Sequence, residues 1–262
     1  AEQRDGKIAN VALELLGAGR RLADDLNVPL SAVLLGNNII DLPKQLIHFG
    51  ADKVYLIDHP LLKQYQVNSY TKAIVHLINK YQPEILLFGA TNTGRELAPR
   101  IATRLQVGLS ADCVELSIDK EKRLLVQTKP AFGGNVMATI IIPDHRPQMA
   151  TVRPNVMKPI EPQTSRTGEI IYDDIAIQAE DLYTKIIDVI HESESPIKLE
   201  EAKVIVSAGF GIGKPENLAL IKELADVLGA ALGASRAIVD AGWIPASHLI
   251  GQTGKTVNPK LY

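Results

Sequence analysis

The chain of 262 residues contains 46% apolar residues, enough to build the core of one large domain or two modest ones. Its formal net charge of −2 and isoelectric point near 6.3 give no basic surface, so we predict no nucleic-acid partner. Apolar runs such as Ile85–Phe88 are strand-length and too short to span a membrane, so no membrane association is predicted.

Cys113 is the single cysteine of the sequence. It excludes a disulfide within the chain and any metal or iron–sulfur site built from several cysteines, and it fits a reducing cytoplasm. A nucleophilic role is conceivable, but free cysteine usually packs as a small apolar residue. We therefore predict that Cys113 is buried in a strand.

The first hundred residues alternate between helical and strand patterns. Apolar residues at helical spacing predict an amphipathic helix over Ile8–Leu26. Further helices are predicted over Leu42–Phe49, Asn68–Lys80 and Arg95–Leu105, and strands over Ser31–Leu35, Lys53–Ile57 and Glu84–Phe88. This alternation predicts a Rossmann-like α/β domain whose parallel strands are joined by right-handed crossovers.

Short segments rich in β-branched residues follow Leu105. They predict strands over Ala111–Ile118, Arg123–Thr128, Val136–Ile142 and Gln148–Arg153. We expect these strands to extend the same sheet, partly in antiparallel orientation. Residues 154–167 contain three prolines and predict a surface connection, and Glu169–Ile190 predicts one strand and a further helix or strand.

A polar stretch, His191–Pro196, predicts an interdomain linker. We therefore expect a first domain over residues 1–192, a linker over 193–200 and a second domain over 201–262. In the second domain, Val204–Val206 predicts a strand, and Leu218–Leu228 predicts a helix that Gly229 ends. Some sixty residues are too few for a complete doubly wound α/β domain, so we expect an incomplete one.

Two motifs near the carboxyl end carry the functional signal. Ser235–Gly242 reads Ser-Arg-Ala-Ile-Val-Asp-Ala-Gly, and Gly251–Lys255 reads Gly-Gln-Thr-Gly-Lys. Glycines, hydroxyls, an amide and an arginine in the loops of an α/β sheet suit the close approach of a large planar ligand. Both motifs and their spacing resemble the flavin-binding domain of the electron transfer flavoprotein α subunit.

The resemblance covers essentially the whole chain, and it implies bound FAD, pairing with a β subunit and electron exchange with dehydrogenases such as those of acyl-CoA dehydrogenase type. Family members carry an apolar first strand ahead of the position of Ala1 and further flavin contacts beyond Tyr262. We therefore expect a chain truncated at both ends that binds FAD weakly or not at all by itself.

The glycine-rich segment 209–213 is expected to contribute Gly209 and Gly211 to the flavin site. Its order, Gly-x-Gly-x-Gly, is not the dinucleotide fingerprint Gly-x-Gly-x-x-Gly, and by itself it predicts an ordinary turn. The family carries Ser-Gly-Gly-Arg-Gly here, a loop that contacts the flavin nucleotide. This chain departs from that pattern at Ala208 and Phe210, so backbone amides must replace the contact of the arginine.

Arg236 is the sharpest candidate, because a guanidinium beside the flavin stabilises the negative charge that develops around N1 and the C2 carbonyl. The alternative is a solvated surface arginine. Thr253, together with Gln252, is expected to form the second wall near N5, where a hydroxyl biases which reduced form is stable. Ser235 is expected to donate to a phosphate or ribitol oxygen.

Gly251 and Gly254 are expected to permit a backbone approach that a Cβ would block. Lys255 ends the same motif, but the alternative to a role in the site is that it is merely a solvated cation. Trp243 and His248, which lie between the motifs, are predicted to be packing or rim residues.

The first domain holds two further candidates. Gly89–Gly94 follows a predicted strand and precedes a helix, which suits either a nucleotide-sized site or a tight turn. The segment Arg146–Pro154 resembles the bacterial, anaerobic branch of the family. In flavin-bifurcating members an arginine at the position of Arg153 approaches a second flavin held mainly by the β subunit, and the alternative is a salt bridge at a strand end.

Three functions remain open from the sequence. The leading interpretation is the electron-carrying α subunit, for which no catalytic residue or metal site is expected, since the six histidines are scattered. A dinucleotide-dependent oxidoreductase is disfavoured by the missing fingerprint and the lack of an evident acid–base pair. A cofactor-free interaction module is the third, and a flavin spectrum in the purified protein separates it from the first.

Overall fold

The computed structural model describes residues 1–178, 180, 182–189 and 199–262. Within these, the chain forms two compact units, Ala1–Lys185 and Ile186–Tyr262. The segment His191–Pro196, on which the linker prediction rests, lies outside the described residues.

The first unit combines four helices and eleven strands among its described residues. The helices are α1 (Asn10–Leu26), α2 (Pro43–His48), α3 (Val67–Tyr81) and α4 (Asn92–Leu105). The strands are β1 (Gln3–Arg4), β2 (Lys7–Ile8), β3 (Ser31–Gly36), β4 (Lys53–Asp58), β5 (Ile85–Gly89), β6 (Leu109–Cys113), β7 (Glu115–Asp119), β8 (Leu124–Ala131), β9 (Val136–Ile140), β10 (Gln148–Val152) and β11 (Glu169–Tyr172).

Two parallel three-stranded sheets form the centre of this unit, in the orders β11-β4-β3 and β5-β10-β6. Their strands are mostly aliphatic because helices cover them; Leu34, Leu56 and Met149 are almost fully buried. The predicted α/β class is confirmed, and the elements of the first hundred residues lie within three residues of their predicted bounds. The first helix begins at Asn10 rather than Ile8, because Lys7 and Ile8 form β2, which pairs with β1.

The strands after Leu105 differ from the prediction. The predicted strand Ala111–Ile118 is divided at Val114 into β6 and β7. Within β6, Asp112 has a positive φ of 61° and the ladder with β10 shifts register. Strands β7, β8 and β9 form a separate antiparallel sheet, whereas β6 and β10 join β5 in a parallel one. The prediction that all these strands extend one sheet is therefore wrong.

A cavity of about 580 Å³ lies between β3 and β5. Apolar side chains of α1 and α3 line much of it, together with residues of the two strands. Apart from hydrogen bonds that Ala1 and Gln3 donate to carbonyls of β3, no strand among the described residues pairs with either facing edge.

The end of β11 is tied to α3 by Asp173, whose side chain is 1% exposed. Its carboxylate lies 3.0 Å from His76 Nε2, 2.7 Å from Lys80 Nζ and 3.0 Å from the Tyr81 hydroxyl. Burial alone would raise the pKa of Asp173, but these hydrogen bonds outweigh it and hold the pKa below its ordinary value. Beyond Asp173, the described residues up to 189 contain no further strand or α-helix, so that part of the prediction is wrong.

The second unit is built around two parallel strands, β12 (Ile205–Ala208) and β13 (Ala231–Ala234), joined by helix α5 (Leu218–Val227). A short helix, α6 (Arg236–Asp240), follows β13. The predicted strand and helix are present, and Gly229 ends α5 with a φ of +59°. In the described part of the whole chain, no helix is both long and apolar enough to span a membrane.

Candidate functional site

Three loops of the second unit begin at one edge of its sheet. Strands β12 and β13 end side by side, since the amide of Ser235 donates to the Ala208 carbonyl at 2.9 Å. The extended residues Leu249 and Ile250 continue this edge, with the Ile250 amide 3.0 Å from the Ala234 carbonyl. The carboxyl ends of parallel strands are where ligands of α/β proteins usually bind.

We call residues 209–213, 235–236 and 251–254 the first, second and third site loops. Eight of the nine predicted site residues lie in them: Gly209, Gly211, Ser235, Arg236, Gly251, Gln252, Thr253 and Gly254. The ninth, Arg153, belongs to the first unit.

The first site loop makes one tight turn over Phe210–Ile212 and is open on its outer side. A Cβ built on Gly211 would meet no atom within 4 Å, and one built on Gly209 would reach Ser235 Oγ at an ordinary 3.8 Å. The first amides of such a turn have no partner inside it. The loop therefore offers backbone donors and free space, which suit an anionic group.

In the second site loop, Ser235 stands at the start of α6, but its hydroxyl makes no capping hydrogen bond. Arg236 is 64% exposed, and its Nε donates to Asp240 at 3.0 Å. Its Nη1 donates to the Thr253 hydroxyl at 3.3 Å, which joins the second loop to the third. Among the described residues Nη2 has no hydrogen-bond partner, so the guanidinium keeps donors for a ligand.

The two glycines of the third site loop are required for different reasons. Gly251 has a φ of +140°, a conformation that side chains with a Cβ rarely adopt. A Cβ on Gly254 would lie 2.4 Å from the Leu249 carbonyl oxygen. The tight turn itself thus accounts for Gly254, whereas the ligand approach expected there stays a prediction. Lys255 is not merely solvated, since its Nζ lies 3.3 Å from Glu200.

Two contacts at this edge were not predicted from the sequence, and only one of them had a local signal in it. Phe210 stacks on Trp243 with ring centroids 5.2 Å apart and planes 19° apart, although thirty-three positions separate them. Asp240 pairs with Arg236, and the spacing of four within a helix is a signal that could have revealed it. Trp243 is half-buried against a core cluster, and His248 Nδ1 lies 2.7 Å from the Leu232 carbonyl, as expected of packing residues.

In the first unit, Gly89–Gly94 forms a tight turn. Thr91 Oγ1 accepts from the Gly94 amide at 3.1 Å and so caps α4, and a Cβ on Gly94 would collide with the Gly89 carbonyl. Of the two interpretations that the sequence left open, the structure supports the tight turn. No ligand needs to be invoked for these glycines.

Arg153 is held at the end of β10 by Asp112. The guanidinium donates to both carboxylate oxygens, at 3.2 and 2.6 Å, and Arg95 lies 3.7 Å from the same carboxylate. The hydrogen bond from Arg153 is the main reason that the pKa of Asp112 is lowered. The salt bridge foreseen as the alternative for Arg153 is therefore present, and an approach to a second flavin stays a prediction.

Other chemistries find little support in the described residues. They contain no group of three His, Cys, Asp or Glu side chains able to hold a metal ion. Cys113 is fully buried, and burial raises the pKa of its thiol. The prediction of a packed cysteine is confirmed by this burial. A protonated thiol without solvent access is also a poor nucleophile.

Comparison with known proteins decides the family. The family described as "Electron transfer flavoprotein domain" matches residues 1–176, and "Electron transfer flavoprotein FAD-binding domain" matches residues 198–262. The electron transfer flavoprotein subunit alpha of Thermoanaerobacterium thermosaccharolyticum is 57% identical over 262 residues, which cover all of this chain and 79% of the relative. The chain belongs to the electron transfer flavoprotein α-subunit family.

Other similar proteins agree with this assignment. The α subunit of Megasphaera elsdenii is 48% identical, across all of this chain and 78% of the relative. The "Acryloyl-CoA reductase electron transfer subunit beta" of Anaerotignum propionicum is 42% identical over the same shares of the two chains. All three site loops lie within the part that matches the FAD-binding domain.

The residues of the site loops fit the flavin cofactor that this domain name implies. The loop amides, the Ser235 hydroxyl and the Arg236 guanidinium are hydrogen-bond donors of the kind that the phosphate, hydroxyl and carbonyl oxygens of a flavin nucleotide accept. The donors are exposed at an edge that has free space beside Gly209, Gly211 and Gly251, whereas Gly254 packs against Leu249.

Proposed function

We propose that the chain is the FAD-binding α subunit of a heterodimeric electron transfer flavoprotein, working in the cytoplasm as a carrier between dehydrogenases. The observation that carries this proposal is the meeting of the three site loops at one sheet edge, with Arg236 bonded to Thr253 across two of them. Membership of the family makes electron transfer the expected outcome of that geometry.

In this proposal, bound FAD supplies the one-electron and two-electron redox chemistry, and the chain holds and tunes it. The amides at Gly209 and Gly211 and the Ser235 hydroxyl bind phosphate and ribitol oxygens. Arg236 places positive charge at the flavin edge where negative charge develops, and Thr253 orients and receives one of its hydrogen bonds. The exposed amide of Gln252 completes the third loop.

The partner and the pathway of electrons are further parts of the proposal. A β subunit is expected to complete the protein, and a dehydrogenase of acyl-CoA dehydrogenase type to exchange electrons with it. The name of the Anaerotignum propionicum relative, an acryloyl-CoA reductase electron transfer subunit, supports that partner class. Arg153, fixed in orientation by Asp112, is the residue that would face a second flavin if the heterodimer bifurcates electrons.

The decisive experiment is to purify the chain in complex with its β subunit and count flavins per heterodimer. We expect FAD to be retained, and Arg236→Ala with Ser235→Ala to lower its occupancy. Lys222→Ala, an exposed cation of α5 outside the site loops, serves as the matched control and should leave occupancy unchanged.

A folded heterodimer that retains no FAD would contradict the proposal and favour the interaction module. Reduction of the isolated chain by NAD(P)H would instead favour the dinucleotide-dependent oxidoreductase. A second flavin that is lost on Arg153→Ala would support bifurcation, while a single flavin per heterodimer would exclude it.

A further inference from the structure

Phe210 occupies an unusual position for a large apolar side chain. It is 58% exposed, and it lies between Gly209 and Gly211 in the first site loop. Glycines on both sides would leave this backbone free to adopt many conformations. Stacking on Trp243, with centroids 5.2 Å apart, holds the ring in one place, and such aromatic pairs contribute beyond their buried area.

The ring of Phe210 stands at the border of the site loops. Gly209, its neighbour, approaches Ser235, and Ser235 adjoins Arg236, which is bonded to Thr253. Trp243 covers one face of the Phe210 ring, and the 58% exposure leaves the opposite face open to solvent. An aromatic face is thus presented beside the polar donors of the same edge.

We propose that Phe210, held by Trp243, is a stacking platform for the planar ring system of the bound flavin. This inference rests on the proposed function, since it assigns a recognition element to the same site. An uncharged ring recognises a planar aromatic partner by contact, so its share of the affinity is insensitive to salt, unlike that of an arginine. The pair therefore makes this edge select the flavin ring, in addition to the phosphates that the amides bind.

The single tryptophan of the chain makes the platform observable. Trp243 lies directly behind Phe210, so a flavin stacked there should quench its fluorescence. The full 262-residue chain is titrated with riboflavin, FMN, FAD and ADP, extending to millimolar concentrations. Phe210→Leu removes the aromatic plane and keeps an apolar side chain, whereas Phe210→Tyr keeps the plane. Leu220→Ala, another exposed apolar residue of this unit, is the control.

We expect Phe210→Leu to weaken the binding of riboflavin, FMN and FAD about tenfold, which is the loss typical of one aromatic stacking contact. The affinity for ADP should be unchanged. Phe210→Tyr should restore flavin affinity, and Leu220→Ala should resemble the unaltered chain. Phe210→Arg should bind flavin nucleotides with a steeper salt dependence while remaining weak for uncharged riboflavin.

Unchanged flavin affinity in a folded Phe210→Leu variant, with FAD still bound, would overturn this inference and leave the proposed function intact. A loss confined to ADP and FAD would assign the platform to adenine and equally overturn it. If neither the chain nor its variants bind any flavin, and the heterodimer retains none, both proposals fail together.

Discussion

Arg236→Ala should lower the one-electron reduction potential of the flavin in the heterodimer. A unit charge 4 Å away contributes about 1 kcal/mol in water and about 4 kcal/mol at an effective dielectric constant near 20. Arg236 is 64% exposed, and its charge is partly neutralised by the ion pair with Asp240 at 3.0 Å. We therefore take the lower part of that range, about 1–2 kcal/mol. For one electron this corresponds to a decrease of about 40–90 mV.

The neighbour of Arg236 supplies a test of opposite sign. Asp240→Asn removes the anion that offsets the guanidinium, so the potential should rise by less than Arg236→Ala lowers it. Arg236→Lys should preserve part of the effect, because an ammonium keeps the charge but is compact, strongly hydrated and unable to present a plane. All three effects should shrink as salt is raised, since exposed charges are screened.

The assay is a spectroelectrochemical titration of each purified heterodimer at pH 7, with FAD content measured in the same samples. An unchanged potential in Arg236→Ala that still holds FAD would refute the reasoning. Arg236 would then be a phosphate-binding or packing residue, and Thr253 would become the leading candidate for tuning the flavin.

Three other predictions concern stability and reactivity. Asp173→Asn should lower the free energy of unfolding by about 2 kcal/mol relative to the exposed control Asp174→Asn, measured by urea titration. Because the folded-state pKa of Asp173 is depressed, its contribution is complete above the unfolded value near 3.9 and should be lost as the pH falls from there through the lower folded-state pKa; an equal loss of stability in both variants at pH 7 would contradict the role of Asp173. Gly211→Ala should change stability by less than about 0.5 kcal/mol yet weaken flavin binding, whereas Gly254→Ala should destabilise the fold outright, as thermal melts and flavin retention will show. Cys113 should react with a thiol reagent only in denaturant, and rapid labelling of the native chain would disprove its burial.

The elements of the first hundred residues could be predicted because their signal is local. Helical and alternating periodicities identify α1 and β3 from adjacent residues alone. The pairing of β7, β8 and β9 into a separate sheet could not be predicted in this way, since the local pattern indicates a strand but not its partner. The irregularity of β6 at Asp112 could not be predicted either, because it depends on a backbone conformation and a register shift against β10, which is remote in sequence.

The site shows the same contrast. The motifs located the second and third site loops, and the structure brings them together through Arg236 and Thr253. The stack of Phe210 on Trp243 could not be predicted, because it depends on how the turn after β12 folds back over the segment after α6. From the sequence, Phe210 is notable only because it stands where the family carries an arginine.

The cavity between β3 and β5 bears on the integrity of the first unit. Unpaired strand edges are templates for pairing with another extended chain. Here both edges lie between the apolar faces of α1 and α3, so a segment that enters must be extended and apolar to satisfy edges and walls at once. Such a segment would join two separate parallel sheets into one continuous sheet. The continuity of the sheet in this unit is thus decided in the cavity between β3 and β5, where the two parallel sheets face each other.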